Sequence, residues 1–152
     1  MRAAVHVVDD NQCTKGVPML TKEDIESFLI RLSATGATYS EVEPGFWIVR
    51  PNPESDLSLA VNYSPPVVLL RIDVMTLPDD ATHTATLTRR LLELNASELL
   101  HGAYGIQNEQ IVLTEALELS ALDFEEFLAS YESMTLALAS HLRELGSFRE
   151  AR

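Results

Sequence analysis

The side chains best suited to acid–base or metal work near neutral pH are the four histidines, His6, His83, His101 and His141, and they are dispersed along the chain. No HExxH pair occurs, nor any other spacing that would set two imidazoles on one metal ion, so each histidine is expected at a surface or boundary position. Cys13 is the single cysteine, which excludes an internal disulfide framework and a cysteine-based zinc site within one chain. A catalytic thiolate needs a base and a lowered pKa; no histidine neighbours Cys13 in sequence, and it reads as an incidental thiol. Paired carboxylates could serve as acid and base, and Asp79-Asp80 and Glu125-Glu126 are adjacent. On a helix, however, neighbouring side chains diverge by about a hundred degrees, so Glu125 and Glu126 do not converge. Asp79-Asp80 reads as a turn leading into a helix. There is no GxxxxGK[ST] phosphate loop, no GxGxxG turn and no GxSxG nucleophile elbow. The residues therefore assign no catalytic group, no metal ligand and no cofactor, and the chain is expected not to be an enzyme.

Apolar groups are a more informative signal. Trp47, the only tryptophan, lies in Phe46-Trp47-Ile48-Val49, a run of strand formers that is apolar on both faces. Val67 and Leu69 likewise add apolar side chains on the face opposite Val68 and Leu70. A sheet that is greasy on both sides has something covering the second side: another helix, a second copy or a bound peptide. Trp47, Val67 and Leu69 are accordingly the candidate contacts with a partner or with a second subunit, and core packing is the competing role for Trp47.

The overall balance fits binding to another protein better than to nucleic acid. Among 152 residues, 11 are Lys or Arg and 23 are Asp or Glu, a net charge of −12. Scattered basic residues in that excess of acid give no footprint for phosphates. No apolar run approaches the ~20 residues of a membrane span, and no secretory signal is recognisable, so the expected location is cytoplasmic and away from membranes. A hydrophobic content of 46% suits one domain with a substantial core.

Periodicity places these groups on elements. Residues 1–20 read as a weakly ordered extension in which Val5, Val7 and Val8 could make a short edge strand. Thr21 with Asp24 imitates a capping box, and Ile25, Phe28, Leu29 and Leu32 form one helical stripe ending at Gly36. The period then shortens to two. Residues 37–43 and 46–50 flank Pro44-Gly45, followed by strands near 57–63 and 67–75. Short turns between them require mainly antiparallel pairing. A second helix begins near Thr82 with Leu87, Leu91, Leu92 and Leu94 inward and is expected to run towards Leu100. A hairpin about Gln107-Asn108-Glu109 follows. Asp123 then caps a long final helix carrying Phe124, Phe127, Leu128, Tyr131, Met134, Leu138, Leu142 and Leu145, with Gly146 as its stop. The predicted fold is α+β, order α-β-β-β-β-α-β-β-α, an antiparallel sheet with helices packed on one face; residues 21–146 form the domain and 147–152 a tail.

Leu91-Leu92-Glu93-Leu94-Asn95, then Gly102-Ala103-Tyr104-Gly105-Ile106, then Ile111-Val112-Leu113, Leu117-Glu118-Leu119 and Leu122-Asp123 complete the pattern. In this order the elements and motifs resemble the secretion-chaperone-like fold of the small acidic type III secretion chaperones (the Tir-chaperone family) and the YbjN-type proteins. The resemblance covers about residues 21–146. It implies a non-enzymatic, chaperone-like protein that forms a homodimer and holds a stretch of a partner polypeptide, such as a secreted protein. The YbjN side of the resemblance implies an alternative, a stand-alone regulatory or sensory protein with no secretion role.

Overall fold

The structure is a computed structural model that describes Gly16 and residues 18–149. The expected strand at Val5–Val8, together with His6 and Cys13, lies outside the described residues. Nine elements follow one another: α1 (Lys22–Ser33), β1 (Thr38–Glu43), β2 (Phe46–Arg50), β3 (Leu59–Ser64), β4 (Val67–Thr76), α2 (Ala81–Ser97), β5 (Ala103–Gln107), β6 (Gln110–Glu118) and α3 (Phe124–Arg149).

The chain turns as its local chemistry dictates. Thr21 caps α1 in a reciprocal box: its Oγ1 accepts from the Asp24 N–H at 3.3 Å, and its own N–H donates to Asp24 Oδ2 at 2.8 Å. Asp80 caps α2 by accepting from the His83 N–H, and Asp123 opens α3 by accepting from the Glu126 N–H, each at 2.8 Å. Asn108 and Glu109 both take positive φ, 51° and 62°, the geometry of a two-residue hairpin whose twist matches its strands.

All six strands pair antiparallel in the order β1-β2-β3-β4-β6-β5. Strands β1 to β4 form a meander, α2 carries the chain across to the far edge, and the β5–β6 hairpin returns β6 beside β4. Val112 is buried on the far face of the sheet, but the main core lies on the helix side. Trp47, Val49, Leu59, Val61, Val68, Leu70, Ile72, Leu113 and Leu117 meet Ile25, Leu29, Leu32, Leu87, Leu91, Leu94, Phe127, Met134 and Leu138 there. Phe28 joins α1 to α3 by packing its ring against Phe124 and Phe127, with centroids 5.7 and 5.6 Å apart.

Three local expectations are corrected. Leu92 is 62% exposed: Leu87, Leu91 and Leu94 already fill the inward stripe, and a residue one step past Leu91 turns outward. Helix α2 ends at Ser97, short of Leu100, which is exposed. Helix α3 does not stop at Gly146. It runs to Arg149, whose guanidinium donates to the Val74 carbonyl at 2.5 Å, while Phe148 packs on the core.

Candidate functional site

Helices cover one side of the sheet and leave the other open. Alternation along each strand sets the membership of the open face. It takes Phe46, Ile48 and Arg50 from β2, Ala60 and Asn62 from β3, Val67, Leu69, Arg71 and Asp73 from β4, and Val112, Thr114, Ala116 and Glu118 from β6. Register brings them side by side: Phe46 opposes Asn62, Ile48 opposes Ala60, Leu69 sits between Asn62 and Ala116, and Val67 between Ser64 and Glu118. Small residues at Ala60 and Ala116 make the face concave. It forms a trough of about 720 Å³ lined by Phe46, Ile48, Ala60, Leu69, Arg71 and Ala116 among others. Phe46, Ile48 and Val67 are half-buried, and Leu69 is 38% exposed.

The polar groups of this face neutralise one another. Arg71 donates through Nε to Asp73 Oδ1 at 2.7 Å and reaches across to the Gln107 side-chain Oε1. With Arg50 and Glu118, the strands of the face carry two positive and two negative groups. Against −12 for the whole chain, this is a neutral, apolar strip on an acidic molecule.

The three residues singled out from sequence fall in two places. Val67 and Leu69 lie together on the open face. Trp47 does not: it is fully buried beneath β2 on the helix side and presents nothing outward. Its immediate neighbours Phe46 and Ile48 supply the outward groups. A strand apolar on both faces indicates apolar groups on each side of the sheet, without saying which residues point where.

Histidines form two polar clusters on the helix side. His141, expected near the surface, is buried; its Nδ1 meets the Tyr104 hydroxyl at 2.8 Å and its Nε2 meets Glu98 Oε2 at 3.1 Å. Its partners, 37 and 43 residues away in sequence, satisfy the ring and make burial tolerable. Burial, with the Glu144 and Glu98 charges, pushes the Tyr104 phenol well above its ordinary value. Arg90 closes the cluster by pairing with Glu144 at 2.5 Å and Glu98 at 3.5 Å; the hydrogen bond from Arg90 holds the Glu144 carboxyl below the usual range. In the second cluster, His101 Nδ1 faces both Glu115 Oε1 at 3.1 Å and Ser130 Oγ at 3.3 Å. In a serine triad the histidine is the base, with the serine hydroxyl and the carboxylate on its opposite ring nitrogens. Here both lie on one nitrogen, and Ser130 is fully buried, so the cluster is structural. Among the described residues, no group of three His, Cys, Asp or Glu is placed to hold a metal ion, and no helix is long and apolar enough to cross a membrane.

The fold is an open antiparallel sheet roofed on one side by three helices, with a largely apolar trough on the other. The CesT_Tir_1 family profile matches residues 19–151, nearly the whole chain, and the protein belongs to that family of type III secretion chaperones. Solved structures share the fold. A chain of the heterodimeric ExoU–SpcU complex from the type III secretion system of Pseudomonas aeruginosa superposes with a TM-score of 0.61 at 11% identity, covering 78% of this chain and 95% of that one. YbjN from E. coli gives 0.58 at 14% identity, covering 84% and 97%. A chain of the HopA1–SchA chaperone–effector complex gives 0.51 at 9% identity, covering 80% and 95%. No curated protein matches the chain in sequence. The chain thus has a chaperone-like, protein-binding character set by family and fold.

Proposed function

We propose that this protein works without catalysis, as a homodimer that holds an extended stretch of a partner polypeptide, such as a secreted protein, in the manner of a secretion chaperone. The observation that carries the reading is the neutral apolar strip on a chain of net charge −12. Two copies so acidic repel one another over most approaches, and the open face is where they meet at least electrostatic cost. Val67 and Leu69 form the contact across the two-fold axis. Phe46, Ile48 and Ala60 remain to line a groove for the held polypeptide, with Trp47 supporting the strip from the core. Shape and apolar area on this face are the properties expected of an interaction surface.

Light scattering tests the dimer. The wild-type chain is expected at twice the monomer mass of 16.9 kDa, and Leu69→Glu or Val67→Glu at the monomer mass, because each buries an unpaired charge in the contact. Unchanged mass in both variants would remove this interface. Capture from the source cells followed by mass spectrometry tests the partner: a polypeptide retained by the wild type and lost from Phe46→Glu supports the reading. A dimer that retains nothing favours the stand-alone regulatory alternative.

A further inference from the structure

Helix α3 turns one side to the core and leaves the other uncovered. Ala129, Glu132, Leu136, Ala139, Arg143 and Gly146 follow one another at steps of three and four residues, so they form a single stripe along the helix. The first five are exposed and Gly146 is half-buried; Leu136, 70% exposed, is the most exposed apolar group of the helix. Between Ser133 and Leu142 the exposed side chains are Leu136, Ala139, Ser140 and Leu142, none of them charged, on a chain that stands at −12. Glu132, Leu136 and Ala139 also line a shallow hollow of about 490 Å³ shared with Pro51, Asn52 and Leu57.

Two opposite charges, Glu132 and Arg143, bound this uncharged stretch. Neither has a charge of the other sign three or four residues away along the helix. Among the described residues neither forms an ion pair, whereas Lys22, Arg31, Arg71, Arg89 and Arg90 all do. The stripe is also symmetric about a point midway between Ala137 and Leu138. Inverting its direction about that point lays Glu132 on Arg143, Leu136 on Ala139 and Ala129 on Gly146. A second α3 running antiparallel across a two-fold axis there gives each Glu132 an Arg143 and each Leu136 the space above an Ala139. Parallel pairing would set Glu132 against Glu132, and a slip of seven residues would set Ala139 against Arg143, so charge fixes one register. Small side chains at Ala129, Ala139 and Gly146 let the axes approach to about 8 Å. A Cβ on Gly146 would meet nothing within 4 Å in its own chain, so no contact inside the subunit calls for glycine within this helix.

We propose that the outer face of α3 is a second self-association surface, on which two copies pair antiparallel through Glu132, Leu136, Ala139 and Arg143. It belongs to the helix layer, on the opposite side of the sheet from the open face, so both contacts can be filled at once. The inference is independent of the polypeptide-holding reading. Six side chains from each copy fall well short of the roughly 20–30 residues of a permanent interface, so this contact is reversible, with a Kd of about 0.1–1 mM. Well below that concentration it is empty, and the open face alone sets the mass. Above it, dimers joined through the open face add to one another through α3.

The test is sedimentation equilibrium of the full chain from about 0.02 to about 1 mM. The wild-type mass is expected to climb past the dimer, and Leu69→Glu, blocked at the open face, to climb from monomer towards dimer over the same range. In the Leu69→Glu background, adding Leu136→Glu, Glu132→Lys or Arg143→Glu is expected to weaken pairing by about tenfold or more. Glu132→Lys together with Arg143→Glu is expected to restore it to within about threefold, because the exchanged charges again meet across the axis. General repulsion makes the opposite forecast for Glu132→Lys, which removes two units of negative charge and would strengthen association. These side chains are exposed, so an unchanged circular dichroism spectrum separates a lost contact from a lost fold. No rise in mass up to about 1 mM, or a charge exchange that pairs no better than the single variants, overturns the proposal. A rise that Leu69→Glu alone abolishes overturns it as well and leaves the open face as the contact. If Leu69→Glu is already dimeric at the lowest concentration, the open-face interface fails; conversion of that dimer to monomer by Leu136→Glu then supports the α3 contact, and a dimer unmoved by Leu136→Glu overturns it.

Discussion

Trp47 and Leu69 sit on neighbouring parts of one sheet and point to opposite sides, so truncating each should cost stability to very different degrees. Trp47 is fully buried, and replacing a buried Trp by Ala costs about 3–5 kcal/mol through lost transfer energy and the cavity left behind. Among the described residues its indole N–H has no hydrogen-bond partner, a burial that itself costs about 1–3 kcal/mol, so Trp47→Ala relieves that cost and falls at the low end, near 3 kcal/mol. Leu69 is 38% exposed; roughly six-tenths of a leucine's burial is at stake, and less because Ala keeps its Cβ, giving about 1 kcal/mol. A domain of this size loses about 2–4 °C of Tm per kcal/mol, so the expected falls are about 6–12 °C for Trp47→Ala and about 2–4 °C for Leu69→Ala. Thermal unfolding by far-ultraviolet circular dichroism, at a concentration dilute enough to keep subunits apart, reads both without relying on the removed fluorophore. Equal falls, or a larger one at Leu69, would refute the assignment of the two faces. At higher concentration the wild-type Tm should rise and that of Leu69→Glu should stay flat, because association stabilises only the chain that can associate.

Thr21→Ala should destabilise α1 by about 1 kcal/mol through loss of its cap, measured as a shift of the urea midpoint with unchanged slope. Hydrogen bonds lower the carboxyl pKa of Asp24 (from the Thr21 backbone first), Asp80 (from the His83 backbone first) and Glu144 (from Arg90 first). Their stabilisation is complete above the ordinary values of 3.8 and 4.5 and disappears as pH falls through the lowered ones; Asp24→Asn should flatten the acid limb of Tm against pH. At the alkaline end, burial pushes Tyr131 up to about 12 and Tyr104 further. These phenols favour the folded state up to the ordinary value of 10.0, and the advantage fades as pH climbs towards the raised ones. Absorbance near the phenolate band should therefore show two of the tyrosines, Tyr104 and Tyr131, ionising only as the chain unfolds.

Much of the fold was legible because the hydrophobic period switches cleanly from 3.6 to 2 and back, with capping and turn residues at each switch. Val67 and Leu69 were legible for the same reason: they interrupt the alternation of a strand whose other face is already apolar. What stayed open or failed depended on partners distant in sequence. Nothing local distinguishes the two sides of Phe46–Val49, and only pairing with Leu59 and Val61 turns Trp47 inward. Burial of His141 needs Tyr104 and Glu98, and the bonding of Asn95 to an edge strand needs the hairpin that packs beside it. Gly146 ends no helix because Phe148 and Arg149 find the core and Val74 beyond it.

The described chain enters and leaves at opposite ends of its central strand. The Leu20 N–H is tied to the Leu119 carbonyl, beside Pro66 where β4 begins, whereas Arg149 grips Val74 near the far end of β4. Eight residues of strand at about 3.3 Å each separate the two anchor points by about 26 Å. Labels placed beside Leu20 and beside Arg149 would thus report on opposite ends of the sheet.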